Sequence, residues 1–249
     1  MGKIYTITLA GLLLPALLFS QGVRPKSVVV APTVPTLSNK YASEISTTDF
    51  NGRPFRVYEP DAEGSPFFND ELQYAQLILS KGTVYEKVLV RLDLLNQELQ
   101  LKTTQGNMIV AEDGLVRVVN LFDSVTGAIQ FRFISGCPPI DKQSGNHFYR
   151  LLSDGKIKLL LYTQRELVQE KNEMSGEIRK LYKERTEYYT LLDGKISRLK
   201  RDKETILALM SDHQEEVNAW LKSKKMNYRN NEMLASLFDY YNSLVPKSF

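Results

Sequence analysis

The chain carries few of the side chains that make chemistry easy. Among 249 residues there is one cysteine, Cys137, one tryptophan, and two histidines, His147 and His213. A single cysteine excludes an internal disulfide. Its position, far from the apolar N-terminus, also excludes a lipid-anchored export signal, which needs a cysteine just after its apolar core. A catalytic thiol needs a histidine partner, and ISGCPPI offers none, so Cys137 is expected to be a small buried apolar residue. Two scattered histidines and one cysteine leave no transition-metal ligand set. No P-loop, no Gly-x-Ser-x-Gly elbow and no His-Glu-x-x-His is present. The formal net charge of +3 is too weak to point to nucleic acid. No cofactor is expected.

What is present begins with MGKIYTITLAGLLLPALLFSQG. Lys3, an apolar core from Ile4 to Phe19, and small or polar residues at Ser20, Gln21 and Gly22 have the layout of a secretory signal peptide. The run is short for a membrane span and holds Pro15, which favours cleavage, after residue 20 or 22. Export places the protein in the periplasm, at the outer membrane or outside the cell. Residues 21–63 are rich in Pro, Ser and Thr and read as an extended lead-in, in which VVVA could add an edge strand.

From 64 to 249 a single α+β domain is expected. Its sheet covers about 72–200, a mainly antiparallel meander with C-terminal amphipathic helices packed on it. QYAQLILS, TVYEKVLVRLDLL, ELQLK, MIVA and LVRVVNLF are short, β-rich and separated by turn residues. The links are too short for parallel crossovers. Two later stretches repeat one pattern: FYRLLSDGKIKLL and YYTLLDGKISRL. Asp-Gly between apolar β-rich runs is a strong hairpin signal, because both central residues tolerate positive φ. Asp154-Gly155 is expected to join strands 148–153 and 156–162, and Asp193-Gly194 to join 187–192 and 195–200. The intervening residues 164–186 are densely charged and suit either a short helix, which Ser175-Gly176 would interrupt, or a solvated excursion between hairpins, which is the favoured reading. Helical periodicity then takes over at about 203–245. Ser211 and Gln214 have capping-box spacing, and Val217, Trp220 and Leu221 share a stripe. So do Leu234, Leu237, Phe238, Tyr241 and Leu244. These stripes are expected to cover the sheet.

The run YEKVLVRLDLLNQELQLK, the aromatic-Asp-Gly-Lys hairpins and the ending LMSDHQEEVNAWLKSKKMNYRNNEMLASLFDYYNSL resemble a group of secreted Bacteroidota proteins, over about 64–245. The resemblance implies an exported location and a strand-rich body with terminal helices. It transfers no catalytic residue.

Two surface features qualify as candidate sites. In GSPFFND, Phe67 and Phe68 sit together in a turn-rich loop, where an exposed ring could insert into a partner. Lys195, Arg198, Lys200, Arg201 and Lys203 form a basic run that could meet an anionic membrane surface. Paired carboxylates for glycan hydrolysis would have to come from acids such as Asp70, Glu71, Asp93 or Glu98, converging on a cleft. The expectation is a non-enzymatic, envelope-associated binding or assembly protein with a protein partner, acting by strand addition or aromatic insertion. The alternatives are a carboxylate-dependent glycan hydrolase and an anionic membrane-surface binder.

Overall fold

The computed structural model describes residues 46–47, 58–104, 106–174 and 176–245. The signal segment and most of the lead-in lie outside them. Eleven strands form one antiparallel sheet: β1 (Ser46–Thr47), β2 (Gln73–Leu79), β3 (Val84–Asp93), β4 (Glu98–Lys102), β5 (Met108–Ala111), β6 (Val116–Phe122), β7 (Ile129–Ile134), β8 (Tyr149–Ser153), β9 (Ile157–Lys171), β10 (Ile178–Leu192) and β11 (Lys195–Arg198). Their order is β1-β5-β4-β3-β2-β6-β7-β8-β9-β10-β11. Three helices follow: α1 (Lys203–Leu209), α2 (Gln214–Lys224) and α3 (Asn231–Leu244). This is the α+β, mainly antiparallel architecture expected from the strand and helix periods.

The sheet departs from a simple meander at one step, where β6 pairs with β2 rather than with β5. In a flat sheet β5 and β6 would lie four strand spacings apart, about 19 Å. They also run in the same direction, so a flat link would have to return a strand length as well. The link is only Glu112–Leu115. Five Cα steps reach at most about 17 Å. The sheet must therefore roll up, and the contacts agree. Leu77 from β2, Val90 and Leu92 from β3, Leu99 and Leu101 from β4, Ala111 from β5 and Val119 from β6 share one buried cluster. A bulge at Lys87, with φ 54°, shifts the β2–β3 register and lets both Tyr85 and Val88 face that interior.

The second half of the sheet is covered on both faces. On one, Ile157, Leu159, Leu161 and Tyr188 pack against Ile206, Val217, Leu221, Leu234, Leu237, Phe238 and Tyr241. On the other, Tyr149, Leu160, Tyr162, Tyr189 and Ile196 pack with Cys137 from the β7–β8 connection. The α3 stripe is as expected. The capping box is not: Ser211 lies in a short 3-10 turn, and no side chain caps α2. The side-chain caps are instead Asp202, which accepts from the Thr205 N–H at 2.8 Å, and Asn230, which accepts from the Met233 N–H at 2.8 Å.

Both Asp-Gly hairpins form, by different means. Asp193 and Gly194 take φ of 49° and 75° and close a two-residue turn between Leu192 and Lys195. Gly155 has no such φ. Its need is space: a Cβ there would sit 2.4 Å from Cγ of Asn242 on α3. The Asn242 side chain in turn donates to the Ile157 carbonyl at 3.0 Å and accepts from its N–H at 3.1 Å, tying α3 to the start of β9.

Residues 164–186 are no excursion. They continue β9 and β10 as two fifteen-residue strands, paired from Leu192↔Ile157 to Ile178↔Lys171. Strand β7, with Ile129, Phe131 and Phe133 on alternate positions, also lies beyond the strands expected from sequence.

Candidate functional site

The outer part of the β9–β10 hairpin forms an arm. Strand β9 loses its β8 partner after Tyr162, and β10 loses β11 below Tyr188. From Thr163 to Lys171 the arm runs for about 30 Å. Its root is held by the β3–β4 turn: the Arg165 N–H donates to the Leu94 carbonyl at 3.0 Å, and Gln97 Nε2 to the Thr163 carbonyl at 3.0 Å. On the other edge, Glu63 donates its N–H to the Lys180 carbonyl at 2.8 Å and accepts from the Tyr182 N–H at 2.9 Å. Cross-strand ion pairs line the arm: Arg165–Glu184 at 2.7 Å, Lys183–Glu170 at 2.6 Å, and Arg179 on Glu63. Such exposed pairs add little stability, but they keep a charged hairpin in register.

Strand geometry then shows what the arm offers. Within an antiparallel strand, N–H and C=O of one residue point to the same side, and the side alternates. Arg165 donates away from β10, so Leu167 and Gln169 also direct their N–H and C=O outward. Among the described residues nothing accepts or donates there. Leu167, Met174 and Ile178 are 42%, 99% and 61% exposed on the same arm. An open edge joined to exposed apolar side chains is the structural requirement for strand addition.

The aromatic pair of the SPFF loop packs largely against the protein. Phe67 is buried at 9% exposure, beneath the Arg91 guanidinium at 3.7 Å and edge-on to Tyr58 at 4.9 Å. Phe68 packs edge-on between Phe131 at 5.1 Å and Phe133 at 5.0 Å, on the rolled-sheet core. A large ring beside an open sheet end gains more by filling it than by facing water. Phe67 is thus buried, while Phe68 is partly buried against the core.

Asp93 is also turned inward and is 0% exposed. Its Oδ2 accepts from Tyr58 and from Asn96 Nδ2, both at 2.7 Å; its Oδ1 accepts from the N–H groups of Leu95 and Asn96 at 2.9 and 3.0 Å. The carboxylate thus closes the β3–β4 turn that supports the arm. Burial, and then the bond to Asp93, hold the Tyr58 phenol well above its ordinary value. Tyr58 accepts in turn from Gln100 Nε2 at 2.6 Å. Beside this network, Tyr58, Phe67, Arg91 and Tyr182 line a cleft of about 260 Å³ that includes Glu59 and Asp70. Glu59 is paired with Lys180 at 3.0 Å.

The basic run is divided among partners. Arg198 pairs with Glu187 and lies 4.0 Å from Asp141; Lys200 pairs with Asp202 at 3.0 Å; Arg201 stacks on Tyr188 at 3.9 Å. Lys195 begins β11 and Lys203 begins α1, so the run spans the end of the sheet and the start of the helices. Glu187, which sequence reading passes over, is central here. Burial pushes its carboxyl up, but Tyr189, Arg185 and Arg198 together outweigh that and leave it below the usual range. Tyr189, fully buried, donates toward Glu187 at 2.7 Å and faces Asp141 at 2.8 Å.

Cys137 is 4% exposed, and burial pushes its thiol up to about 11. His147 stacks on Tyr162 at 5.7 Å, and burial makes it harder to protonate. Among the described residues, no group of three or more His, Cys, Asp or Glu is placed to hold a metal ion, and no helix is long and apolar enough to cross a membrane. Compared with protein-family models, with curated proteins and with solved structures, the chain finds no match, so no residue role is carried onto it from a relative.

Proposed function

We propose that this is an exported, envelope-associated binding or assembly protein that receives an extended segment of another protein along the β9 edge of its arm. The observation that carries this reading is the outward N–H and C=O of Leu167 and Gln169 beside exposed Leu167, Met174 and Ile178. Backbone pairing would supply affinity, and the alternating side chains would supply selection. Charge disfavours a second copy paired about Val168. Pairing two β9 edges about Val168 would set Glu166 against Glu170 and Arg165 against Lys171, like against like. The signal-peptide layout of the sequence at 1–22 supports the exported location. The protein in its native envelope is the material for the test.

Cross-linking followed by mass spectrometry identifies what is held, and Gln169→Pro tests where. That N–H faces away from β10, so proline removes an edge donor without removing a bond of the hairpin ladder. The expected result is a stoichiometric partner whose capture falls at least tenfold in Gln169→Pro, at an unchanged melting temperature. Recovery of the protein alone, where other envelope complexes are captured, would sink this reading. It would direct effort to glycan hydrolysis at the Glu59–Asp70 cleft.

A further inference from the structure

On the outer face of the rolled sheet the usual alternation of apolar-in and polar-out breaks down. Val84, Ile78, Val118 and Ile134 are register neighbours on β3, β2, β6 and β7. Each lies on the face opposite the core, next in sequence to a residue that points inward, such as Leu77, Val119 or Phe133. All four stay partly open, Val84 at 40% exposure. A sheet with one packed face normally turns polar side chains to water on the other. Here Ile78, Val118 and Ile134, with Leu151 of β8, instead wall a groove of about 340 Å³. That volume is at the small end of ligand-sized pockets.

A polar row runs beside the apolar one, and its members satisfy one another. Gln76 Nε2 donates to Glu86, Asn120 Nδ2 donates to Gln76 Oε1 at 2.7 Å, and Arg132 Nε donates to Asn120 Oδ1 at 2.8 Å. Asn120 is only 2% exposed, so the ladder is a built part of the floor. It uses Nε alone of the Arg132 guanidinium. Among the described residues Nη1 and Nη2 have no partner. Lys158, the other cation of the lining, is neutralised by Asp154. Glu86, at the far end of the ladder, is three strand spacings away, about 14 Å. The groove therefore combines an apolar strip with one uncompensated, oriented guanidinium.

We infer that this groove binds an aliphatic monocarboxylate, its carboxylate on the Nη groups of Arg132 and its hydrocarbon laid across Ile134, Val118 and Ile78. The planar fork of arginine matches a carboxylate in two parallel bonds. The single net charge matches a monoanion. A peptide fits the strip poorly, because its amides would be desolvated against side chains that offer them no partner; the ladder amides already bond each other. A hydrocarbon tail has no such requirement. The site shares no residue with the arm and does not depend on the reading of it.

Isothermal titration calorimetry on the full chain tests the inference, with decanoate below its micellar concentration as probe and acetate and decyltrimethylammonium as controls. Saturable one-to-one binding of decanoate is expected, with both controls at least tenfold weaker. Arg132→Gln should weaken decanoate by roughly 10- to 100-fold, the worth of a charge-assisted pair. Val118→Glu, which leaves the ladder intact and sits on the open face, should weaken it at least tenfold at an unchanged melting temperature. It decides the matter if Arg132→Gln disturbs folding. No saturable heat with decanoate, equal affinity for the cationic detergent, or full affinity in Val118→Glu would overturn the inference.

Discussion

Substituting the two hairpin glycines separates a turn made by local backbone from a turn made by tertiary contact. At Gly194 an added Cβ meets nothing within 4 Å, and the only penalty is the positive φ of 75°. Gly194→Ala should cost about 1 kcal/mol. At Gly155 the same methyl falls 2.4 Å from Asn242 Cγ and 2.7 Å from both its Cβ and Nδ2. Asn242 cannot withdraw freely, since its amide satisfies the N–H and C=O of Ile157, a residue with no exposed surface. Gly155→Ala should therefore cost about 2–3 kcal/mol by overpacking, a melting temperature lower by roughly 5–10 °C. Asn242→Ala strands two backbone groups and should cost a similar amount. The double variant has room for the methyl and has already lost the amide, so it should be more stable than the sum of the single effects implies, by about 1–2 kcal/mol. Urea denaturation followed by Trp220 fluorescence reads this directly, because Trp220 packs in the same helix–sheet layer. Strict additivity, or a Gly194→Ala variant less stable than Gly155→Ala, would refute the account of the repeat.

Stability should be highest between about pH 7 and pH 9 and fall on both sides. On the acid side, Lys156 above all holds Asp212 below its ordinary value, and the Glu187 partners do the same for that residue against the effect of burial. A depressed carboxylate stabilises the fold above its unfolded value, about 4, and that stabilisation is lost as pH falls through the folded value. Buried His147 adds to the loss below about pH 6.5, where the unfolded imidazole takes up a proton first. On the alkaline side burial raises Tyr58, Tyr149, Tyr189 and Tyr162, the last to about 12. Above about pH 10 the unfolded phenols ionise first, each removing about 1.4 kcal/mol of stability per pH unit. Urea midpoints from pH 3 to 11 check the shape; no decline between pH 9 and 11 would contradict the buried phenols. Cys137, with its thiol raised from 9.0 to about 11, should react with a thiol reagent at pH 8 more than about 100-fold slower in the native protein than in urea. Equal rates would place the thiol on the surface.

Local signals account for what was legible in the sequence. Period-two runs such as VYEKVLVRLD and the stripe Leu234, Leu237, Phe238 and Tyr241 mark elements by how each residue alternates with its chain neighbours, and the structure keeps both. Residues 164–186 escaped because most of the arm is solvated, with Tyr182 its one buried side chain among the described residues. No apolar period remains there, and its order comes from pairs such as Arg165–Glu184 and Lys183–Glu170, whose members lie on different strands. Ser211 offered a capping pattern that Asp202 and Asn230 supplied elsewhere. Phe67 and Phe68 looked available because a Gly/Pro/Asn loop carries them. Only the neighbouring strands show that Arg91, Phe131 and Phe133 pack against them.

By itself, then, the sequence determined the class of the domain: antiparallel strands with short turns, two Asp-Gly hairpins and terminal helices with one apolar stripe each. Those features depend on φ preferences and on the periods of strand and helix, which are properties of adjacent residues. The tertiary structure alone decided the rest. The link at Glu112–Leu115 is short enough to force the sheet to roll. Asn242 makes Gly155 obligatory from a helix far along the chain. The open β9 edge and the Arg132 groove exist only because distant strands stop pairing or come side by side. Long-range packing sets which edges and faces remain uncovered, and no local pattern records it.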